Sequence, residues 1–129
     1  MTEAQLQRAV VELARLLGWR VAHFRVAQTS KGWRTPVAAD GAGWPDLFLV
    51  RDRPVAVELK TERGKLRPDQ AAWLRALLEA GVETYLVRPH LLDQLATVLT
   101  VRRPGGNLAT PRARDAEQFL LAELRKEIA

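Results

Sequence analysis

Two short apolar segments separated by a tight turn constrain the fold of this chain more than any other feature. Residues 46–50 (DLFLV) and 55–60 (VAVELK) have the length and composition of β-strands, and residues 51–54 (RDRP) between them suit a turn. Side chains alternate across a strand, so the odd-numbered positions of 55–60, all apolar, share one face. The even-numbered positions share the other face and end in Glu58 and Lys60. We therefore predict an antiparallel hairpin with two charges at one end.

In such a hairpin, Asp46 at the start of the first strand comes near Glu58 and Lys60 at the end of the second. Buried charges cost several kcal/mol unless they are paired or bind an ion. Two carboxylates side by side favour a hard divalent cation such as Mg²⁺, which can polarise a phosphodiester. The alternative is purely structural: Glu58 and Lys60 neutralise each other, and Asp46 is a turn residue after Pro45.

The remaining segments predict a single domain over residues 1–129 of the α/β class with a small mixed sheet. Thr2 and Gln5 form a capping-box pattern before the first helical stripe, and Pro68 suits the first turn of another helix. The predicted segments are, in order, a helix ending at Gly18, a strand over 19–26, a long loop over 27–43, the two hairpin strands, a helix from Pro68 to Gly81, a strand over 82–87, a helix over 91–99, a basic connector over 102–114 and a helix over 115–128 capped by Asp115.

Composition excludes some classes of site. The chain has no cysteine, which rules out disulfides and thiolate metal sites, and it has no apolar run long enough to span a membrane. The first residues lack a signal-peptide pattern, so a cytoplasmic location is expected. The net charge is +5, and 16 of the 20 basic residues are Arg. Excess Arg favours a polyanionic partner such as DNA, although it also arises from GC-rich coding sequence.

The stretch GWPDLFLV…VAVELKTERGKLRPDQAAWLRALLEAGVETYLVRP resembles the virus-type replication-repair nuclease (VRR-NUC) domain of the PD-(D/E)XK nuclease superfamily, and the similarity covers residues 2–99. Its G-x-P-D motif opens a strand, its E-x-K motif ends the next, and a K-T-x-x-G-x-L-x-x-x-Q loop leads into a helix. The resemblance implies a restriction-endonuclease-like fold. It also implies that Asp46, Glu58 and the Leu59 carbonyl bind Mg²⁺ or Mn²⁺, with Lys60 as the catalytic lysine. Arg67 stands where the family tends to have Ser.

The superfamily usually adds an acidic or amide residue from the first helix. Glu3 and Glu12 are nine residues apart, which places them on opposite faces of a helix, so they cannot both serve one metal. Glu3 borders the apolar stripe, with Gln7 one turn further on, and we favour Glu3 assisted by Gln7. The alternative is that Glu3 only complements the helix dipole.

Further residues are supporting candidates. His23 and Arg25 share a strand face, where Arg25 is a candidate for contacting DNA and His23 either supports the site or is only structural. Gln70 either approaches the metal site or only caps its helix. Trp33 and Trp44 could stack on an opened base, although Trp44 could instead only shape the turn. Four basic residues flank the proposed site and could contact the DNA backbone or simply be solvated, namely Lys31, Arg34, Lys65 and Arg67.

The patterns predict a metal-dependent DNA nuclease, and the family resemblance implies a structure-selective endonuclease similar to Holliday-junction resolvases. The alternatives are a non-catalytic DNA-binding accessory module and a flap-directed, end-directed or restriction-type nuclease. A homodimer is expected, because a four-way junction has two symmetric strands to cut. Residues 91–101 and the apolar side of the last helix could form the dimer surface, or could equally complete the core of the monomer.

Overall fold

The computed structural model describes residues 1–24, 27–29, 32–34, 38–103 and 108–129, with the backbone alone for 27–29 and 32–34. Apart from two short strands in the predicted loop, the helices and strands follow the predicted order. In chain order they are α1 (Glu3–Leu16), β1 (Arg20–His23), β2 (Ala27–Thr29), β3 (Gly32–Arg34), β4 (Leu47–Val50), β5 (Pro54–Leu59), α2 (Pro68–Glu79), β6 (Glu83–Val87), a short 3-10 turn (Pro89–Leu91), α3 (Leu92–Thr100) and α4 (Pro111–Ile128).

Four strands form a mixed sheet in the order β1-β4-β5-β6. The predicted hairpin is present: β4 and β5 are antiparallel, with Leu47 opposite Val57 and Val50 opposite Pro54. Strand β1 adds antiparallel to β4, and β6 adds parallel to β5. Because β5 and β6 are parallel, both end at the same edge of the sheet. The α/β class and the mixed sheet expected from the sequence are therefore confirmed.

The prediction of an uninterrupted loop over residues 27–43 is wrong. Strands β2 and β3 pair antiparallel as a separate two-stranded sheet, with Ala27 opposite Arg34 and Thr29 opposite Gly32. Each strand has only three residues. A strand this short is held by backbone pairing and leaves no measurable alternation in the sequence.

The last helix begins earlier than predicted. Helix α4 starts at Pro111, and the side chain of Thr110, rather than that of Asp115, caps it by accepting from the Ala113 N–H at 3.1 Å. Pro111 occupies the first helical position, where its missing N–H costs nothing. The predicted connector over 102–114 is therefore shorter, and its residues 104–107 lie outside the described part of the chain.

Two apolar clusters cover the two faces of the sheet. The larger lies under α1, α3 and α4, and includes Leu6, Val57 and Leu120. The smaller joins α2 to the end of α4 through Leu74, Leu86 and Leu124. Helices α3 and α4 thus complete the monomer's own core, which was the second of the two roles considered for them. Phe119 is the exception on α4, since it is 64% exposed.

Within the described residues, none of the helices combines the length and apolar character needed to cross a membrane.

Two arginines in the hairpin turn donate hydrogen bonds to carbonyls near the C-terminal ends of helices. The guanidinium of Arg51 donates to the carbonyls of Leu17, Leu99 and Val101 at 3.1, 2.9 and 2.9 Å. It also lies 4.6 Å from the ring centroid of Trp19, a cation–π contact. Carbonyls at the C-terminal end of a helix lack partners within the helix and carry negative partial charge. Arg51 satisfies several of them at once.

Arg53 anchors the same turn to β6. Its side chain pairs with Glu83 at 2.8 Å and donates to the carbonyl of Val98 at 2.8 Å. Arg103 also pairs with Glu83, at 2.9 Å. Burial alone would raise the pKa of Asp52, but hydrogen bonds from Arg53 and Arg51 outweigh it and hold that pKa well below its ordinary value. The charges at the turn end of the hairpin are therefore paired.

Candidate active site at the open end of the hairpin

The open end of the hairpin brings two carboxylates together. Asp46 lies one residue before the Leu47–Val57 pair and Glu58 one residue after it, so the antiparallel register places them side by side. The Leu59 N–H donates to Asp46 Oδ2 at 2.9 Å, which fixes the carboxylate against the neighbouring strand. The juxtaposition expected from the sequence is thus present, and the catalytic roles of the two residues stay predictions.

Glu58 lies in an unusual environment for a carboxylate. Its side chain is 1% exposed, and its Oε2 atom has no hydrogen-bond partner among the described residues. Burial, a hydrogen bond with Asp46 and the charge of Asp46 together raise the pKa of Glu58 to about 10, whereas the nearby Lys60 ammonium acts in the opposite direction. The charge of Lys60 therefore only partly offsets the effects that disfavour a charged Glu58.

The donor set suits a hard divalent cation. Two adjacent carboxylates repel each other, and a buried carboxylate oxygen without a donor lacks compensation. Mg²⁺ and Mn²⁺ take oxygen ligands and often use only one or two carboxylates plus water. Within the described residues no third acidic or histidine side chain completes a cluster. The fit thus rests on Asp46 and Glu58, and the carbonyl of Leu59 stays a predicted third ligand.

Gly43, the glycine of the G-x-P-D motif, is required by close packing. Its φ is +89°, and a Cβ built on it would lie 2.5 Å from the Asp69 carbonyl carbon and 2.8 Å from the Gln70 nitrogen. Both the backbone angle and the contact exclude a side chain. The start of α2 therefore packs directly on the segment that leads into Asp46.

Gln70 has the capping role that was one of its two predicted roles. Its Oε1 accepts from the Arg67 N–H at 3.0 Å, and the residue is 7% exposed. This contact holds the first turn of α2 in place without a serine at the position of Arg67. Because Gln70 caps the first turn of α2, the helix does not need a serine side chain at position 67, and Arg67 can stand there.

Sequence reasoning missed Arg88, which organises the loop after Lys60. Arg88 is 4% exposed and donates to the carbonyls of Thr61 and Gly64 at 2.6 and 2.8 Å. It also pairs with Glu123 of α4 at 2.6 Å. The available signal was its position directly after β6, since parallel strands β5 and β6 end at one edge of the sheet.

Helix α1 carries Glu3, the residue favoured from the sequence of the first helix. The charge of Glu3 is the weakest of the influences that raise the pKa of Glu58, and Glu3 itself is exposed. The amide of Gln7 contacts the His23 ring instead. The role of Glu3 as a metal ligand stays a prediction, and Gln7 and His23 support each other at the end of β1.

The candidate DNA-contacting residues are only partly described. Arg25 and Lys31 lie outside the described residues, and for Arg34 the backbone alone is described. Lys65 is exposed, and Arg67 is 63% exposed while its Nε pairs with Asp69 at 3.2 Å. Both belong to the loop that follows Lys60, and their contact with DNA stays a prediction.

Comparison with known proteins places the chain in a family. The family model described as VRR-NUC domain matches residues 26–90, which is half of the chain and includes the hairpin, Lys60 and all of α2. No curated protein matches the chain. The match contains the two motifs that form the open end of the hairpin. The chain therefore belongs to the VRR-NUC family of nuclease domains.

Proposed function

We propose that this nuclease is a metal-dependent DNA endonuclease of the PD-(D/E)XK superfamily with a restriction-endonuclease-like fold. The observation that carries the proposal is the Asp46–Glu58 pair, in which a buried carboxylate oxygen has no partner and a lysine follows two residues later. Sheet hairpins that only need stability do not gain from such a pair, because unpaired buried carboxylates destabilise a fold.

Asp46 and Glu58, with the Leu59 carbonyl, would hold Mg²⁺ or Mn²⁺. Bound there, the cation supplies positive charge that polarises a phosphodiester and lowers the pKa of water. The protein contributes the orientation of the ligands. The Leu59 N–H fixes Asp46, and the packing of α2 against Gly43 fixes the backbone that leads into it.

Lys60 is the candidate catalytic lysine. It is half-buried, and its ammonium acts on the pKa of Glu58, so its charge is felt at the carboxylate pair. From this position Lys60 would orient the attacking water, or stabilise the charge that develops on the phosphate. Either role is used in the transition state more than in substrate binding.

The proposed substrate is branched DNA, as for a Holliday-junction resolvase acting as a homodimer. Basic residues in the 61–67 loop and the net charge of +5 support a polyanionic substrate. The burial of Leu120 and Leu124 in the monomer core removes most of the apolar surface first considered for a dimer. That burial favours, as a second candidate, a monomeric flap-directed or end-directed nuclease.

A cleavage panel tests the proposal. Four-way junctions, flaps, forks and linear duplex would be incubated with the protein in Mg²⁺, Mn²⁺ or EDTA. We expect metal-dependent cleavage with the highest rate on a branched substrate. Lys60→Ala should keep DNA affinity and lose most cleavage, because its loss falls on the transition state. Lys126→Ala is the matched control, since its side chain is 72% exposed on α4.

Light scattering on the protein alone and bound to a four-way junction separates the two candidates. A dimer that cuts both strands of the junction supports the resolvase-like activity. A monomer that remains monomeric on the junction and cuts flaps supports the second candidate. DNA binding without cleavage in either metal would instead support a non-catalytic accessory module.

A further inference from the structure

Four aromatic rings cluster beside the carboxylate pair. The Trp44 ring lies 5.0 Å from Trp73 and 6.2 Å from Phe24, in edge-to-face geometry, and 5.8 Å from Phe48. Edge-to-face pairs at these distances are favourable and rigid. Three different parts of the fold, the segments around β1 and β4 and helix α2, thus contribute rings to one cluster.

The cluster forms a wall of an open groove of about 420 Å³. Phe24, Trp44 and Trp73 line it together with the loop over residues 38–41. Trp73 is held there by its Nε1–H, which donates to the Asp40 carbonyl at 2.9 Å. Phe24 is 38% exposed, a high value for a phenylalanine within a cluster of rings.

Two of the residues that line the groove are linked to Asp46 of the candidate active site. Trp44 and Asp46 are separated only by the buried Pro45. On the other side, the Phe24 N–H donates to the Asp46 carbonyl at 3.1 Å. Two of the three residues that line the groove with aromatic rings are therefore linked through the backbone to a proposed metal ligand, which places the groove near the candidate active site.

We propose that this groove binds an unpaired nucleobase of the DNA substrate, stacked on the aromatic wall and adjacent to the scissile phosphate. The inference rests on the proposed nuclease function and extends it, because it requires a nucleotide that is unstacked from its neighbours. Such a nucleotide is present in flaps, at fork junctions and in single strands, and is absent from intact duplex and from a fully paired four-way junction. The inference therefore extends the flap-directed or end-directed candidate.

The chemistry of the groove selects a base over the other parts of DNA. The residues described as lining it include no basic side chain, and the one charged residue is Asp40, which disfavours phosphate. Aromatic faces stack on any base. The Trp44 Nε1–H is buried and finds no acceptor among the described residues. A base carries carbonyl and ring-nitrogen acceptors, and a small rearrangement of the indole would let it satisfy that donor.

Binding measured without cleavage provides the test. Fluorescence anisotropy in EDTA would compare a labelled single-stranded DNA oligonucleotide with its duplex, for wild type and Phe24→Ala. We expect Phe24→Ala to weaken single-strand binding roughly tenfold and to leave duplex binding unchanged. Phe119→Ala is the matched control, because Phe119 is exposed outside the groove on α4.

Abasic sites make the test specific for a base. Oligonucleotides carrying one abasic site at successive positions keep every phosphate and lose one base. At one position the abasic site should weaken wild-type binding and have no further effect on Phe24→Ala, since coupled changes are not additive. Trp73→Phe, which keeps a ring but loses the bond to Asp40, is a second variant should Phe24→Ala fail to fold.

The proposal is supported if Phe24→Ala loses single-strand binding, Phe119→Ala does not, and one abasic site weakens binding by wild type but not by Phe24→Ala. Equal effects of Phe24→Ala and Phe119→Ala, or equal losses on single strand and duplex, would overturn it. The readout is separate from the nuclease activity. If the groove variants bind like wild type while Asp46→Asn still abolishes cleavage, the nuclease assignment stands and only the base site fails.

Discussion

The two ends of the β4–β5 hairpin carry similar numbers of charged residues but differ in how those residues are paired. At the turn end, Arg53 and Glu83 are nearly buried and pair at 2.8 Å, and Arg51 caps three carbonyls. At the open end, Asp46 and Glu58 lie side by side, and a buried oxygen of Glu58 has no partner. At the turn end, the charged groups are paired within the protein. At the open end, two carboxylates remain available to a ligand such as a metal ion.

This difference shows how charged residues in one small sheet divide into two classes. A buried charge with well-placed partners stabilises or specifies the fold, whereas a buried charge without partners costs stability and indicates function. The same substitution at the two ends should therefore have opposite consequences. Changing a glutamate to glutamine should cost activity at the open end and stability at the turn end.

Glu58→Gln should have the largest effect. We expect cleavage to fall about a thousandfold, because the loss of a metal ligand removes several kcal/mol of transition-state stabilisation. The free energy of unfolding should not fall, since glutamine keeps the volume of the side chain and, like the protonated carboxyl that a pKa of about 10 implies for Glu58 at neutral pH, carries no charge. Single-turnover cleavage and urea denaturation measure the two quantities. A variant that is destabilised by several kcal/mol yet active when folded would give Glu58 a structural role.

Glu83→Gln makes the same change at the turn end. It leaves Arg53 and Arg103 without their shared carboxylate. We expect the free energy of unfolding to fall by about 3–5 kcal/mol, the usual result of breaking a buried pair. Cleavage per folded molecule, measured below the melting transition, should match wild type. Unchanged stability would mean that the paired end does not depend on its ion pairs.

The variants Gly43→Ala and Gly81→Ala compare the tolerance of the backbone at the two ends of the hairpin. Gly43 precedes Asp46 at the open end, and Gly81 precedes β6 at the turn end. Both glycines have a φ near +89°, but a Cβ at Gly81 meets nothing within 4 Å, whereas one at Gly43 meets the Asp69 backbone. We expect a loss of about 1 kcal/mol for Gly81→Ala and about 3 kcal/mol for Gly43→Ala. Only Gly43→Ala should also lower cleavage, because it displaces the segment that holds Asp46. Equal losses of stability would contradict the close packing on α2.

Ala39→Gly should give the smallest effect. Ala39 has a φ of +54°, in the left-handed region that costs an alanine about 1 kcal/mol. Glycine removes that strain but gains freedom in the unfolded chain, so we expect a net stabilisation of about 0.5 kcal/mol. Thermal denaturation would measure it. A destabilised variant would show that the Ala39 side chain is needed in the groove.

The hairpin and its carboxylate pair could be predicted because their signals are local. Alternating side chains and a four-residue turn define the register, and the register alone brings Asp46 beside Glu58. The start of α2 was likewise visible in Pro68. The hairpin of β2 and β3 could not be predicted, because a strand of three residues is too short to show an alternation of apolar and polar residues.

Contacts between distant backbone atoms could not be predicted. Gly43 packs on the backbone of Asp69, a contact that has no sequence signal. The position of Arg88 after β6 indicated the edge of the sheet where it lies, but not that it donates to the carbonyls of Thr61 and Gly64. The excess of Arg was interpreted as a sign of DNA binding. The structure uses Arg51, Arg53 and Arg88 internally, so composition overstated the charge available to a polyanion.

Metal binding tests the central claim most directly. Titration calorimetry with Mn²⁺ would be performed on wild type, Asp46→Ala, Glu58→Gln and Glu12→Gln, the last being an exposed carboxylate of α1 away from the pair. If the open end of the hairpin is a metal site, wild type and Glu12→Gln bind Mn²⁺, and the binding signal disappears in Asp46→Ala and Glu58→Gln. Binding by both of those variants with wild-type affinity would contradict the account.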